Sequence, residues 1–359
     1  MRIAQIAPLF EAVPPRLYGG TERVVANLCD ALTAAGHEVT LFASAEAQTR
    51  ARLAPVRDQA IRLDPAPLSS DSAAHLAALA EVRDHIDEFD VLHFHTDMIH
   101  FPFFEGAAER TLTTLHGRLD IKDLASVYAR WRRFPLVSIS QAQRAPLPDA
   151  NWIGTVHHGL AIGAYRYSPR SDGYLAFLGR IAREKRLDRA IRIAQRLGRR
   201  LRIAAKVDKI DQAYFEAEIA PLLNDPLVEF IGEIGDGEKS AFLGGADALL
   251  FPIDWPEPFG LVMIESMACG TPVLAFRGGS VDEVITPGVT GAVVTSVDEA
   301  VQTLPAVAAL DRAACRQEFE RRFSVARMVE KYLRVYRRLM GVDREIEDAG
   351  REAGLASHG

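Results

Sequence analysis

The sequence predicts an α/β protein built from two doubly wound parallel sheets. Three observations carry that reading. Short apolar runs alternate with longer segments of helical period along almost the whole chain, and parallel neighbours need such long returns. The same rhythm starts twice, first near residue 2 and again near residue 174. The 359 residues exceed one ordinary domain and suit two of roughly 150 each.

In order, RIAQIAPL (residues 2–9) reads as a strand. TERVVANLCDALTAAG then sets Val24, Val25, Leu28, Ala31 and Leu32 at helical spacing before Gly36 stops it. HEVTLFAS, DVLHFHT, RTLTTLH and PLVSISQ are further strands. The second cycle opens with YLAFLG, continues through a helix over REKRLDRAIRIAQRLG, and returns to strands in LRIAAKV, VEFIGE, ALLFPI and TPVLAF. Residues 161–173 gather Gly, Pro and Ser without a period, which marks a boundary. FSVARMVEKYLRVYRRLM is a long amphipathic helix, and residues 341–359 form a charged, Gly/Ala-rich tail expected to fray.

Apolar residues make up 48% and charged residues 25%, an ordinary globular mix that excludes a disordered chain or a small disulfide scaffold. Lys plus Arg number 42 against 48 Asp plus Glu, a net charge of −6. No nucleic-acid-coating surface is expected from that balance. Any phosphate must therefore be held by a few placed residues. Cys29, Cys269 and Cys315 form no CxxC pair and read as buried thiols of a reducing compartment. No run reaches the ~18–20 apolar residues of a membrane span, and no signal peptide is evident, so a cytoplasmic location is expected.

Ligands of open parallel sheets bind beyond the carboxyl ends of the strands, so chemistry is expected at those ends. No GxGxxG is present. GEIGDGEKS (232–240) nearly spells a P-loop, but Lys239 comes one residue late and Glu233, Asp236 and Glu238 would repel phosphate. DWPEPFGLVMIESMACGTPVLAF is the strongest signal. Asp254–Pro258 is a turn, Leu261–Cys269 a short helix, and Gly270 with Pro272 ends it. Backbone N–H groups of Phe259, Gly260 and Leu261 at that helix start make a natural diphosphate site. Glu257 and Glu265 bracket it and suit sugar hydroxyls. FLGRIAREK places Arg180 and Lys185 after a strand, where fixed cations would stabilise a departing diphosphate. Gly19 and Gly20 open the first helix and let its backbone reach an anion. His93 and His95 leave their strand on one face, but no third ligand joins them and no metal is expected.

The string E-P-F-G-L-x-x-x-E-S-M-A-C-G-T-P-V from Glu257 resembles the signature region of the retaining, family-four nucleotide-sugar glycosyltransferases of the GT-B fold. The family's glycine loop, G-R pair and following lysine resemble Gly19-Gly20, Gly179-Arg180 and Lys185, and the similarity spans nearly residues 1–340. The resemblance implies two Rossmann-like domains facing an interdomain cleft: an acceptor-side domain over 1–165, a nucleotide-sugar domain over 170–323, and a helix over 324–340 crossing back to the first domain. It assigns Glu257 to the transferred sugar and Glu265 to the ribose. Phe259, Gly260, Leu261 and Val262 supply backbone donors, while Arg180 and Lys185 neutralise the diphosphate. His116 meets the donor sugar near its 6-hydroxyl, Gly20 contacts phosphate, and Ile234 meets the base through its backbone. Lys206 adds charge on the same row of strand ends. His95 and Asp97 are expected along the acceptor cleft, whereas His157 and His158 are expected to be structural.

The implied reaction moves a sugar from a nucleotide-diphosphate sugar, most simply UDP-linked, to a hydroxyl acceptor by front-face attack with retention and without a cofactor. Two alternatives stay open: a GT-B nucleotide-sugar epimerase, and a non-catalytic nucleotide-sugar binder. The chain departs from the family at Arg183 and Arg186, where Pro and Lys-Gly neighbours are usual, and at Ala205, where Gly is usual. Met98–Phe104 is apolar and reads as a buried helix start rather than a lipid contact.

Overall fold

The computed structural model describes residues 1–16, 19–66 and 71–341. Strands β1 (Arg2–Ile6), β2 (Glu38–Ser44), β3 (Arg52–Arg57), β4 (Val91–Phe94), β5 (Thr111–Thr114), β6 (Leu136–Ser138) and β7 (Trp152–Thr155) form one sheet in the order β3-β2-β1-β4-β5-β6-β7. Strands β8 (Tyr174–Arg180), β9 (Leu201–Lys206), β10 (Val228–Gly232), β11 (Ala246–Phe251), β12 (Val273–Phe276) and β13 (Gly291–Val294) form a second, ordered β10-β9-β8-β11-β12-β13. Every pairing is parallel. The winding reverses between β1 and β4 in the first sheet and between β8 and β11 in the second, which opens a crevice at each point.

Helices cover both faces, so neighbouring strand residues are both apolar. Ile3, Leu41 and Val91 pack on one side of the first sheet, and Ala4, Phe42 and Leu92 on the other. The strands that the sequence did not announce, β3, β7 and β13, are all edge strands. β3 and β7 are only partly buried, and β3 even tolerates Pro55, whereas β13 is a four-residue Gly-Ala-Val-Val segment too short to stand out.

The first helix runs Gly20–Ala34. The helix expected from residue 183 begins instead at Leu187, because Arg186 takes a left-handed φ of 52°. Ahead of it Arg183–Lys185 forms a single 3-10 turn, and that break aims Lys185 away from the helix axis. Additional helices appear at Asp71–Asp84, Asp236–Gly244, Val297–Ala308 and Arg312–Phe323.

The closing helix, Val325–Leu339, buries Met328, Tyr332, Val335 and Tyr336 against the first sheet and the first helix. The chain crosses between the halves twice, side by side: Leu160 N–H donates to Phe323 O and Val325 N–H to Leu160 O, both at 2.9 Å. Phe101 and Phe104 are buried and His100 stacks on Phe94 at 3.7 Å, so the Met98–Phe104 stretch faces the core, with Phe103 exposed. All three cysteines are buried. Among the described residues no helix is long and apolar enough to cross a membrane. Apart from Gly341, the tail at 341–359 lies outside the described residues.

Candidate active site

The two crevices face each other across a single cleft of about 580 Å³. Its first-half wall comes from Gly19 to Arg23 at the start of the first helix, Arg62, and the segment after β5 at His116–Arg118. The second-half wall comes from the ends of β8 to β11 and from the helix Leu261–Ala268. Among the described residues, seven cationic side chains line it against four carboxylates. An excess of cations in a cleft suits a doubly anionic group, although the whole chain is acidic.

Lys185 reaches the cleft floor and donates to Glu257 Oε2 at 2.5 Å. Trp255 Nε1 donates to the same oxygen at 2.9 Å, and its ring lies 4.2 Å from the Lys185 ammonium. Two donors thus share one oxygen of Glu257, which is 8% exposed. The turn after β12 closes tightly on this segment, with Ser280 N–H donating to Glu257 O at 2.9 Å. A Cβ on Gly279, whose φ is +54°, would stand 2.1 Å from the Glu257 carbonyl oxygen. Gly260 caps the helix Leu261–Ala268 with a left-handed φ of 77° and no side-chain cap, so the first N–H groups of that helix keep no intrahelical partner. Phe259, Gly260, Leu261 and Val262 all line the cleft beside them.

Arg180 ends β8 inside a nest of carboxylates: Asp211 at 3.0 Å, Glu184 at 2.8 Å and Asp208 at 3.6 Å. Lys206 leans on Asp208 at 3.0 Å. Both cations line the cleft, as does Ile234. The structure separates the four cations of RIAREKR. Arg183 turns to Glu218 at 2.6 Å and Arg186 pairs with Asp188 and Asp254, and neither lines the cleft.

Glu265 is 4% exposed and accepts from Tyr165 Oη at 2.7 Å and Lys239 Nζ at 2.8 Å. Burial pushes its carboxyl up, but Lys239, Arg23 and the Tyr165 hydroxyl outweigh burial and hold it below the ordinary range. Lys239 belongs to the segment that fails as a P-loop, yet it lines the cleft all the same. Its signal was position, since it follows a strand in the row of ligand-facing ends. Arg23 pairs with Asp236 across the two halves.

His116 lines the cleft, and burial lowers its imidazole to about 3, so it is neutral near pH 7. His158, expected to be structural, also lines the cleft and stacks on His116 at 5.2 Å. His157 instead bonds Glu283 at 3.2 Å. The expectation for the acceptor side needs correction. His95 is 3% exposed, lies beneath His116 with Nδ1 2.8 Å from His116 Nε2, and does not line the cleft. Asp97 is exposed at a left-handed φ of 50° and also lies outside it. Strand alternation explains His95: it shares a face with His93, ring centroids 4.2 Å apart, and that face looks at the closing helix.

Glu22, Arg23, Arg62, Arg118 and Trp255 line the cleft without having been singled out in the sequence. Glu22 and Arg23 look like ordinary first-turn helix charges. Arg62 sits in an irregular stretch, and Arg118 stacks over Trp255 at 5.5 Å only because the halves meet.

Residues 18–210 match Glycosyltransferase Family 4, and residues 167–312 match Glycosyl transferases group 1. Phosphatidyl-myo-inositol mannosyltransferase of Mycobacterium leprae (strain TN) is 24% identical over 94% of this chain and 96% of its own length. Among solved structures, AviGT4, a glycosyltransferase involved in avilamycin A biosynthesis, superposes with a TM-score of 0.72 at 24% identity, covering 95% of this chain and 98% of that one. Anabaena HepE in complex with UDP and glucose gives 0.74 at 19% identity, covering 93% and 98%. With its two doubly wound sheets closing on one cation-rich cleft, the chain belongs to the family-four glycosyltransferases of the GT-B fold.

Proposed function

We propose that the enzyme transfers a sugar from a nucleotide-diphosphate sugar, UDP-linked, to a hydroxyl acceptor with retention of anomeric configuration. The observation that carries this is the Lys185–Glu257 pair set opposite the uncapped start of the helix Leu261–Ala268. It places a fixed cation, a hydroxyl-accepting carboxylate and backbone donors around one small volume. Glu257 would hold the transferred sugar and Glu265 the ribose. Phe259 to Val262, Gly19 and Gly20 would offer backbone donors to sugar and phosphates, with Ile234 against the base.

In this reading the bond from the anomeric carbon to the phosphate oxygen breaks as the acceptor oxygen bonds to the same face. The acceptor proton passes to the departing phosphate. Arg180, Lys185 and Lys206 hold the charge that develops there, so no metal ion is required. His116 positions the sugar, and closure of the halves excludes water. Residues 1–165 would act as the acceptor domain, 170–323 as the donor domain and 324–340 as the returning helix. The buried thiols fit a reducing, cytoplasmic setting. UDP is favoured because HepE, of the same fold, is solved with UDP and glucose.

Thermal stability with UDP, GDP, ADP and TDP and their sugars, with and without EDTA, tests the reading. A ligand at ~100 times its Kd adds about 2.7 kcal/mol. An EDTA-insensitive rise for UDP and a UDP-sugar is expected. A rise for another base alone moves the donor class, and no rise with any nucleotide overturns the donor site.

A further inference from the structure

A hydrogen-bonded relay runs from His116 in the cleft wall to the closing helix. His116 Nε2 lies 2.8 Å from His95 Nδ1, and His95 Nε2 lies 2.8 Å from Gln5 Oε1. Gln5 Nε2 donates to Tyr336 Oη at 3.0 Å, and that hydroxyl lies 2.8 Å from His93 Nδ1. His93 Nε2 meets Thr114 Oγ1 at 2.8 Å, and Thr114 meets Tyr332 Oη at 3.0 Å. Gln5, His93, His95, Tyr332 and Tyr336 are all buried. Gln5 is the penultimate residue of β1, directly paired with His93 of β4.

The relay has a direction. A Gln carbonyl oxygen only accepts, so His95 carries its proton on Nε2. Burial keeps His95 neutral, so its Nδ1 is a bare acceptor and the proton between the two rings belongs to His116 Nε2. His116 is neutral as well, which leaves its Nδ1 unprotonated. On the other side of Gln5, the Tyr336 hydroxyl accepts the amide N–H, which leaves its own O–H to donate to His93 Nδ1. His93 then donates from Nε2 to Thr114. Within the run the loose nitrogen is His116 Nδ1, which is buried and has no hydrogen-bond partner among the described residues.

We propose that Gln5, His95 and Tyr336 are positioning residues that lock His116 as its Nε2–H tautomer, so that Nδ1 accepts a hydrogen bond from a hydroxyl of the bound sugar. The setting residue is Gln5, the one member whose two ends differ chemically. Tyr336 holds its amide from a helix that enters the first half only after the second half is built. The sugar contact rests on the function proposed above, whereas the tautomer is a property of the free protein.

The test is a two-bond ¹H–¹⁵N correlation spectrum of the ligand-free protein labelled at histidine, with His116 assigned by comparison with His116→Gln. The parent should show His116 with a protonated Nε2 and a bare Nδ1. Tyr336→Phe and the similarly sized Gln5→Met should each convert His116 to a mixture of tautomers. In both, kcat for glycosyl transfer should fall roughly tenfold while KM for the nucleotide sugar stays within about twofold. Tyr332→Phe removes an equally buried hydroxyl beyond Thr114 and should leave the His116 signals as in the parent. Protonation of His116 at Nδ1 in the parent overturns the proposal. So do unchanged His116 signals in both relay variants, even if kcat falls, because that is the signature of a purely structural role. If the tautomers behave as stated but no nucleotide sugar is turned over by the parent, the relay stands and the glycosyl-transfer reading falls.

Discussion

Lys185 and Glu257, 72 positions apart in the chain, meet at 2.5 Å on the cleft floor, and Trp255 Nε1 donates to the same carboxylate oxygen. The pair links the turn after β8 to the turn after β11, the two strands at the reversal of the second sheet. A ligand oxygen entering there would exchange one partner of Lys185 for another, so the ammonium is already placed before any ligand arrives.

Lys185→Ala should therefore damage turnover more than binding. Removing one fixed donor to a developing negative charge typically lowers kcat by about 10²–10³. The stabilisation of the variant by UDP should stay close to that of the parent. Equal losses in turnover and in nucleotide stabilisation would show that Lys185 serves binding alone.

Gly279→Ala should displace Glu257. The new methyl would stand 2.1 Å from the Glu257 carbonyl oxygen and 2.4 Å from its amide nitrogen, at a φ of +54°. Gly288→Ala is the control, since Gly288 also has a positive φ of 76° but, among the described residues, nothing within 4 Å of the added carbon. Both should lose about 1–2 kcal/mol of stability from backbone strain. Only Gly279→Ala should lose glycosyl transfer beyond that, and activities falling in parallel for both would show that the contact is harmless.

Glu265→Gln should weaken UDP binding roughly tenfold, the loss of one charge-assisted hydrogen bond. Its pH dependence has a definite sign. The folded carboxyl sits below the ordinary value because Lys239, Arg23 and Tyr165 outweigh burial, while the unfolded one titrates near ~4.3. The ionised Glu265 thus stabilises the fold above ~4.3, and this is lost as pH falls through the folded pKa. The Tm difference between parent and Glu265→Gln should shrink from pH 6 to pH 3. A constant difference over that range would contradict the assignment.

Glu22 has the opposite sign. Burial beside the cleft raises its carboxyl to about 7, with Glu11 adding to the rise and Arg62 and Arg23 opposing it. Between ~4.3 and 7 the folded protein holds a proton that the unfolded chain has released, so stability from this group falls as pH rises through that window. Glu22→Gln cannot ionise. Its Tm relative to the parent should climb from pH 4 to pH 8, and parallel Tm curves would show that Glu22 titrates normally.

The sequence by itself determined the class of fold, the buried strands and the position of much of the second-half lining of the cleft. Buried parallel strands leave continuous apolar runs, and a ligand-facing turn after such a strand is local, so Arg180, Lys185 and the stretch from Glu257 to Glu265 could be located from residue order alone. The edge strands β3 and β7 left no such run because they are only partly buried, and the four residues of β13 were too few to stand out. Only the tertiary structure decided which strand-end residues share the cleft. Strand alternation and the seat of the closing helix turned His95 beneath His116, and Asp97 fell outside. Lys239 was brought in from a segment that fails as a P-loop. Arg23 and Asp236, 213 positions apart, met only once the halves closed. Such contacts depend on the order and twist of two sheets and on how their crevices oppose each other, and no periodicity within a single segment encodes that.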